Sequence, residues 1–427
     1  MRYGPYVTRC TSRLSNRRIH NVSTHGRRSN AQQIRRRAGF STSGSDTAML
    51  DTAASQPFQH TGRREYTPGD WPIDTDSALA LRVLQEAARQ AQEVAHPLIA
   101  SIVQPVPWRD PLAIYAAAQS LTSVATDVYW EQPAQHRAFV GIGATATITP
   151  DGDAHQSQHT PATTPIQTMA ARWRELLADA HIVYAPECAA GAPDAGVSGP
   201  LCFGGFVFDA LAPHTSLWDG FPSGLLTLPR LLFSVVGDQI TLTCNAVLHG
   251  NEDQAALERL IERQALSLMR LRSAVERAER AVALALGKPG AMQLTQLQTA
   301  DDWQASVAQV TAAIRRGAYA KVVLARGVQV NAAQPFDLPA TLERLRAGYP
   351  SATLFAFRRG AQTFLGATPE RLARVTAGHV ETMALAGTAP RGGDEDADVA
   401  LGHELLLSAK NRQEHAIVAA MVREALT

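Results

Sequence analysis

The stretch LLTLPRLLFSVVGDQITLTCNAVL, residues 225–248, constrains the fold more than any other part of the chain. Two runs of aliphatic and β-branched residues meet at Gly237-Asp238, a pair suited to a tight turn between antiparallel strands. Further strand-like runs stand at LIASIVQPV (98–106), RAFVGIGATATIT (137–149) and LCFGGFVFDA (201–210). Helix-patterned stretches of uneven length come between them: SALALRVLQEAARQAQEVAH from Ser77, IQTMAARWRELLADA from Ile166, and a long charged stretch over 252–286. Strands mixed with long helices, without regular alternation, predict an α+β fold with a large antiparallel sheet or sandwich core flanked by helices.

Hydrophobic residues at 45% and charged residues at 19% are globular values, and 427 residues suffice for an ample core. Charge is placed unevenly. Residues 1–45 hold ten arginines and no acid before Asp46, so 30 of the 40 basic residues remain in the body against 39 acids, a formal −9. Such a body is not built for nucleic acid. The basic leader reads as an organellar transit peptide, a phosphate-binding arm, or translation upstream of a start near Met49. Residues 1–75 are therefore expected to lie outside the fold. Residues 76–427 form the domain, divided into 76–298 and 299–427. GLLTLPRLLFSVVG is interrupted by Pro229 and Arg230, so it does not read as a membrane span. Four cysteines without close pairing fit a reducing compartment, and the expected location is cytoplasmic, or organellar if the leader is a transit peptide.

Some signals point nowhere. FVGIGATA approaches a dinucleotide fingerprint, but an extended segment follows it where a helix is required. His155 and His159 sit in a Gln-rich loop, and His403-Glu404 lacks the second histidine of a zinc helix.

Chemistry concentrates in the last 130 residues. Thr299-Ala-Asp-Asp302 caps a helix whose Trp303, Val307, Val310 and Ile314 share one face. Strands and turns are expected to dominate 321–390, and a helix to run from about Asp398 to the end. KVVLARGVQV (321–330) reads as a strand opened by Lys321, one of only three lysines beside 37 arginines. Glu414 shares a helical stripe with Ile417, Val418, Met421 and Ala425. A carboxylate so placed calls for a metal or a basic partner, unless it lies at the edge of the stripe and reaches water. The glycine and threonine of GTAPRG offer backbone N–H groups and a hydroxyl to a carboxylate, or simply make a turn. Taken singly, Lys321 can snorkel and Glu370 can flank a turn.

Taken together, KVVLAR, GATPERL, ALAGTAPRG and SAKNRQEH resemble the chorismate-utilising enzymes, and within them the isochorismate synthases. FVGIGATA, FGGFVFDA and WDGFPSGLLTLPRLLF resemble that subfamily's N-terminal segments. The resemblance implies Mg²⁺-dependent addition of water at C2 of chorismate with loss of the C4 hydroxyl, for menaquinone or siderophore supply. It implies that Lys321 is the base and Glu370 the acid, that Gly387 and Thr388 bind a substrate carboxylate, and that Glu414 ligates Mg²⁺. Lysine can be tuned to accept a proton near neutrality where arginine cannot. Anthranilate synthases usually carry glutamine where Lys321 stands, and aminodeoxychorismate synthases carry lysine where Ala386 stands. Salicylate synthases share both features and remain an alternative. The family pattern also implies a further segment after Thr427, with a second magnesium glutamate. The fold and site are thus expected to be incomplete at the C-terminus, and the chain alone to be inactive. An inactive fragment, or a second polypeptide completing the site, are the corresponding expectations.

Overall fold

A computed structural model describes residues 3–5, 8–13, 76–121, 126–150, 164–185, 198–209, 215, 218–284, 292–376 and 378–426. In chain order the strands are β1 (Tyr3–Pro5), β2 (Thr8–Arg13), β3 (Leu98–Val106), β4 (Thr126–Gln132), β5 (Arg137–Ile148), β6 (His181–Tyr184), β7 (Phe203–Phe206), β8 (Gly224–Val236), β9 (Gln239–Leu248), β10 (Met292–Gln296), β11 (Val328–Ala332), β12 (Thr353–Arg359), β13 (Gln362–Thr368), β14 (Arg374–Thr376), β15 (His379–Ala384) and β16 (Thr388–Pro390). The helices are α1 (Ser77–Val94), α2 (Pro111–Leu121), α3 (Pro165–Ala178), α4 (Gln254–Leu284), α5 (Ala300–Arg315), α6 (Leu338–Gly348), α7 (Glu395–Leu407) and α8 (Ala409–Leu426).

The expected hairpin is β8–β9, turning at Gly237 with φ +58°. It lies inside a nine-stranded sheet of order β13-β12-β4-β5-β8-β9-β3-β6, with β7 also on β8. Every pairing in this sheet is antiparallel except β3–β6. Pro229 falls in the middle of β8, where a proline cannot donate to the ladder. The facing strand accommodates it: the β5–β8 register shifts between Ala144 and Ala146, beside Gly143 at φ +63°. The Pro229 carbonyl receives the Asn245 side-chain amide at 2.8 Å, and Asn245 in turn accepts from Ser101 Oγ at 2.7 Å. FVGIGATA is therefore bulged strand, as its extended flank implies.

Helices α2, α4 and α6 cover one face. Leu112, Ile114 and Tyr115 of α2 are fully buried against Tyr129, Val140 and Phe233, and Leu268, Leu271 and Val275 of α4 close the layer. Each such aliphatic side chain contributes about 1.5–3 kcal/mol by leaving water. Ala80, Val83, Leu84 and Ala87 of α1 pack on Ala100, Ile102 and Leu248.

The last 130 residues depart from expectation in four ways. KVVLARG is not strand: 321–327 is irregular, and only Val328–Ala332 pairs, with β10. A ladder needs a neighbouring backbone, and no described strand pairs with 321–327, where Gly327 O only accepts the Leu297 N–H at 3.2 Å. The α5 stripe caps as foreseen, with Asp302 N–H donating to Thr299 Oγ1 at 3.1 Å, yet Val307 and Ile314 stay exposed because no described element covers them. Helix α6 interrupts the stretch expected to be strands. Its signals are Asp337, which accepts from Ala340 N–H at 2.9 Å, and a proline in the first turn. The C-terminal helix is also two, broken at Ser408. Of the leader, Tyr3–Pro5 pairs with Thr388–Pro390 and Thr8–Arg13 with His379–Ala384, although residues 1–75 were expected to lie outside the fold. Residues 14–75 and the His155/His159 loop lie outside the described residues.

Two ionic knots, the first buried and the second part-buried, join β12 and α6 to the N-terminal part. Arg358 of β12 donates through Nε to Asp127 of β4 at 2.9 Å, and a second contact runs from Nη2. Arg346 of α6 spends all five N–H donors: Nε on Glu131 (2.9 Å), Nη1 on Asp110 (3.1 Å) and Glu343 (3.0 Å), Nη2 on Asp110 (2.9 Å) and the Tyr129 hydroxyl (2.9 Å). Three carboxylates thus surround one guanidinium. Burial, opposed by Arg346, pushes the Glu343 carboxyl above its usual 4.5, with Asp110 and Glu131 adding to the rise. A folded carboxyl with a raised pKa binds more protons than the unfolded one. Stability from this group is therefore full below 4.5 and falls as pH rises through the folded pKa. Glu343→Gln should flatten that fall in urea midpoints measured from acid to neutral pH. An unchanged pH slope in the variant would remove Glu343 as its source.

Candidate active site

Helix α8 organises the site. Ser408 Oγ accepts the Asn411 N–H at 3.3 Å in its first turn. Glu414 follows one turn later, and its Oε1 lies 3.3 Å from Lys321 Nζ, with the two side chains 33% and 21% exposed. The partner that an inward carboxylate calls for is thus a lysine from the irregular 321–327 segment. The apolar stripe beside Glu414 is not buried, and Met421 is 64% exposed.

Gly387 sits against the same helix. Its φ is +84°, a left-handed conformation that glycine adopts without strain. A Cβ there would stand 3.2 Å from Asn411 Cβ. Thr388 follows as the exposed first residue of β16. Helix α8 also packs on β15, which leads into this turn.

Strand β15 holds the third motif as well. Thr382 Oγ1 donates to Leu372 O at 2.7 Å, and Arg371 pairs with Glu381 at 3.3 Å. Thr368 Oγ1 accepts the Glu370 N–H at 3.1 Å, closing the Thr-Pro-Glu turn. The Glu370 side chain itself is exposed, and no described hydrogen bond or ion pair links it to Lys321. The structure therefore brings Lys321, Glu414 and Gly387 to one helix. It ties the Glu370 turn to that helix through β15, without joining Glu370 to Lys321 directly. The apolar enclosure that suits a carboxylic acid for proton donation is not supplied around Glu370 by the described residues.

Among the described residues no three His, Cys, Asp or Glu side chains converge on a metal position. Mg²⁺ commonly takes one or two carboxylates and keeps waters or substrate oxygens for the rest. Glu414, part-exposed and 3.3 Å from an ammonium that a cation can replace, fits one such position. Sequence reasoning passed over Asn411, although it stands inside SAKNRQEH one turn before the glutamate.

The family model described as chorismate binding enzyme matches residues 84–427. The chain belongs to the chorismate-binding enzyme family. Among curated members, the salicylate biosynthesis isochorismate synthase of Pseudomonas aeruginosa is 32% identical over 349 residues, covering 81% of this chain and 66% of its own length. The isochorismate synthase MenF of Bacillus subtilis is 29% identical over 341 residues, covering 79% and 67%. The chain thus spans about two thirds of the length of these relatives. The solved structure of MenF, the menaquinone-specific isochorismate synthase from Escherichia coli, aligns over 81% of this chain and 67% of its own at 22% identity, with a TM-score of 0.48. No described helix is long and apolar enough to cross a membrane.

Proposed function

We propose that this chorismate-binding chain serves isochorismate synthesis, with chorismate as substrate, for menaquinone or siderophore supply. The observation that carries the reading is the meeting of Lys321, Glu414 and Gly387 on α8 within a chain of this family. In the reaction, Lys321 Nζ accepts a proton from water as the oxygen bonds to C2 of the ring. The ring double bonds shift, the C4–O bond breaks, and Glu370 gives its proton to the departing hydroxyl, which leaves as water. Gly387 and Thr388 receive a substrate carboxylate. Glu414 would hold Mg²⁺, which when bound supplies positive charge opposite that carboxylate. Glu370 must come closer to the substrate than its exposed place shows, and a second polypeptide completing this face is part of the proposal.

Incubating the chain at high concentration with chorismate and Mg²⁺, followed by chromatography, tests the reading. Isochorismate is the expected product when a polypeptide supplying the remaining third of the relatives' length completes the site, with none expected from the chain alone. Salicylate would establish the salicylate synthase alternative, and anthranilate another chorismate enzyme. No product in either case would leave an inactive fragment or partner subunit.

A further inference from the structure

We propose that Asn411 is a further substrate-contacting residue, its side-chain amide donating to the carboxylate received by Gly387 and Thr388. The proposal rests on the functional reading above and adds a residue to it. Gly387 has no side chain, and the space a Cβ would take is closed by Asn411: its Cβ, Cγ and Oδ1 stand 3.2, 3.4 and 3.4 Å from that point. The amide therefore lies flush against the turn. It is part-buried, and its side chain forms no hydrogen bond with the described residues; its backbone N–H donates to Ser408 Oγ. A primary amide carries two donors and an acceptor, and leaving them unused in a half-enclosed place is costly unless a ligand or water takes them. Turning the amide by 180° exchanges oxygen and nitrogen without changing its shape, so a donor can face the turn.

The surroundings select the ligand's charge. Beside Asn411 lie the backbone of Gly387, the hydroxyl-bearing Thr388, and Glu414 one helical turn on, already opposed by Lys321 at 3.3 Å. The Thr388 hydroxyl and the Asn411 amide both present donors to this place, which suits an anion. Packing alone would be served equally by the isosteric aspartate, whose shape is the same and whose donors are gone.

That difference is the test. Equilibrium dialysis of chorismate with Mg²⁺ compares the parent chain with Asn411→Asp. Loss of a hydrogen bond to a charged group, with a like charge in its place, should weaken binding about tenfold or more, with the urea midpoint unchanged. Chorismate dimethyl ester, which lacks the anion, should bind both proteins alike. If Asn411→Asp does not fold, Asn411→Ala replaces it, with about fivefold weakening expected for chorismate and none for the ester. Equal chorismate affinity in parent and variant overturns the role of Asn411 and leaves the functional reading standing. Absence of chorismate binding by the parent overturns both.

Discussion

Arg346→Ala should lower the unfolding free energy by about 3 kcal/mol, the low end of the range for removing one partner of a buried ionic pair, because this cluster is part-buried. The cause is what remains. Asp110, Glu131 and Glu343 would face one another with no cation, and the Tyr129 hydroxyl, held 2.5 Å from Glu131, would lose its donor. Asp110 is doubly engaged, because it also accepts the Leu112 N–H at 2.9 Å at the start of α2. Arg346→Lys should rescue little. An ammonium offers three donors from one point, where five from a planar fork are used. Urea denaturation followed by circular dichroism measures both variants. A loss below about 1 kcal/mol for Arg346→Ala would mean that water enters and solvates the three carboxylates, as at an exposed pair.

In the completed enzyme, Lys321→Arg should reduce turnover about a hundred- to ten-thousand-fold, the usual contribution of a positioned general base. The substitution keeps the positive charge opposite Glu414, so the ion pair and the local fold persist. It removes the ability to take a proton from water, since a guanidinium stays protonated in proteins. The measurement is the rate of isochorismate formation at saturating chorismate and Mg²⁺, beside the parent under the same conditions. Near-parent turnover would show that Lys321 serves only as a counter-ion to Glu414.

The sheet was legible because its strands advertise themselves locally. The run through Leu231, Phe233 and Val235, the Gly237-Asp238 turn and the β9 stretch all pointed to one hairpin, and even Pro229 is absorbed by a bulge in the facing strand. KVVLARG carried the same local signal and is irregular, because pairing depends on a neighbouring backbone that no window of sequence contains. Helix α6 was readable from Asp337 and the proline after it but was hidden within a stretch expected to be strands. The role of Arg346 was not readable at all. Its partners Glu131 and Asp110 lie 215 and 236 positions away along the chain.

The site divides in the same way. Glu414 announced a need for a partner through its place on an apolar stripe, and Lys321 meets that need. The stripe also implied burial, which α8 does not have: none of its residues is fully buried. Lys321 drew notice first through the scarcity of lysine and Glu370 through family resemblance, and nothing in their local patterns says how far apart they stand. Asn411 was invisible because asparagine near a helix start reads as ordinary helix-end chemistry.

Titration calorimetry of chorismate into the chain at several Mg²⁺ concentrations, repeated with Glu414→Ala, tests most directly whether α8 is the wall of the binding site. Saturable binding that tightens with Mg²⁺ in the parent, and no longer responds to it in the variant, is the expected result. Chorismate binding with the same Mg²⁺ response in both proteins, or no saturable heat from the parent, would contradict it.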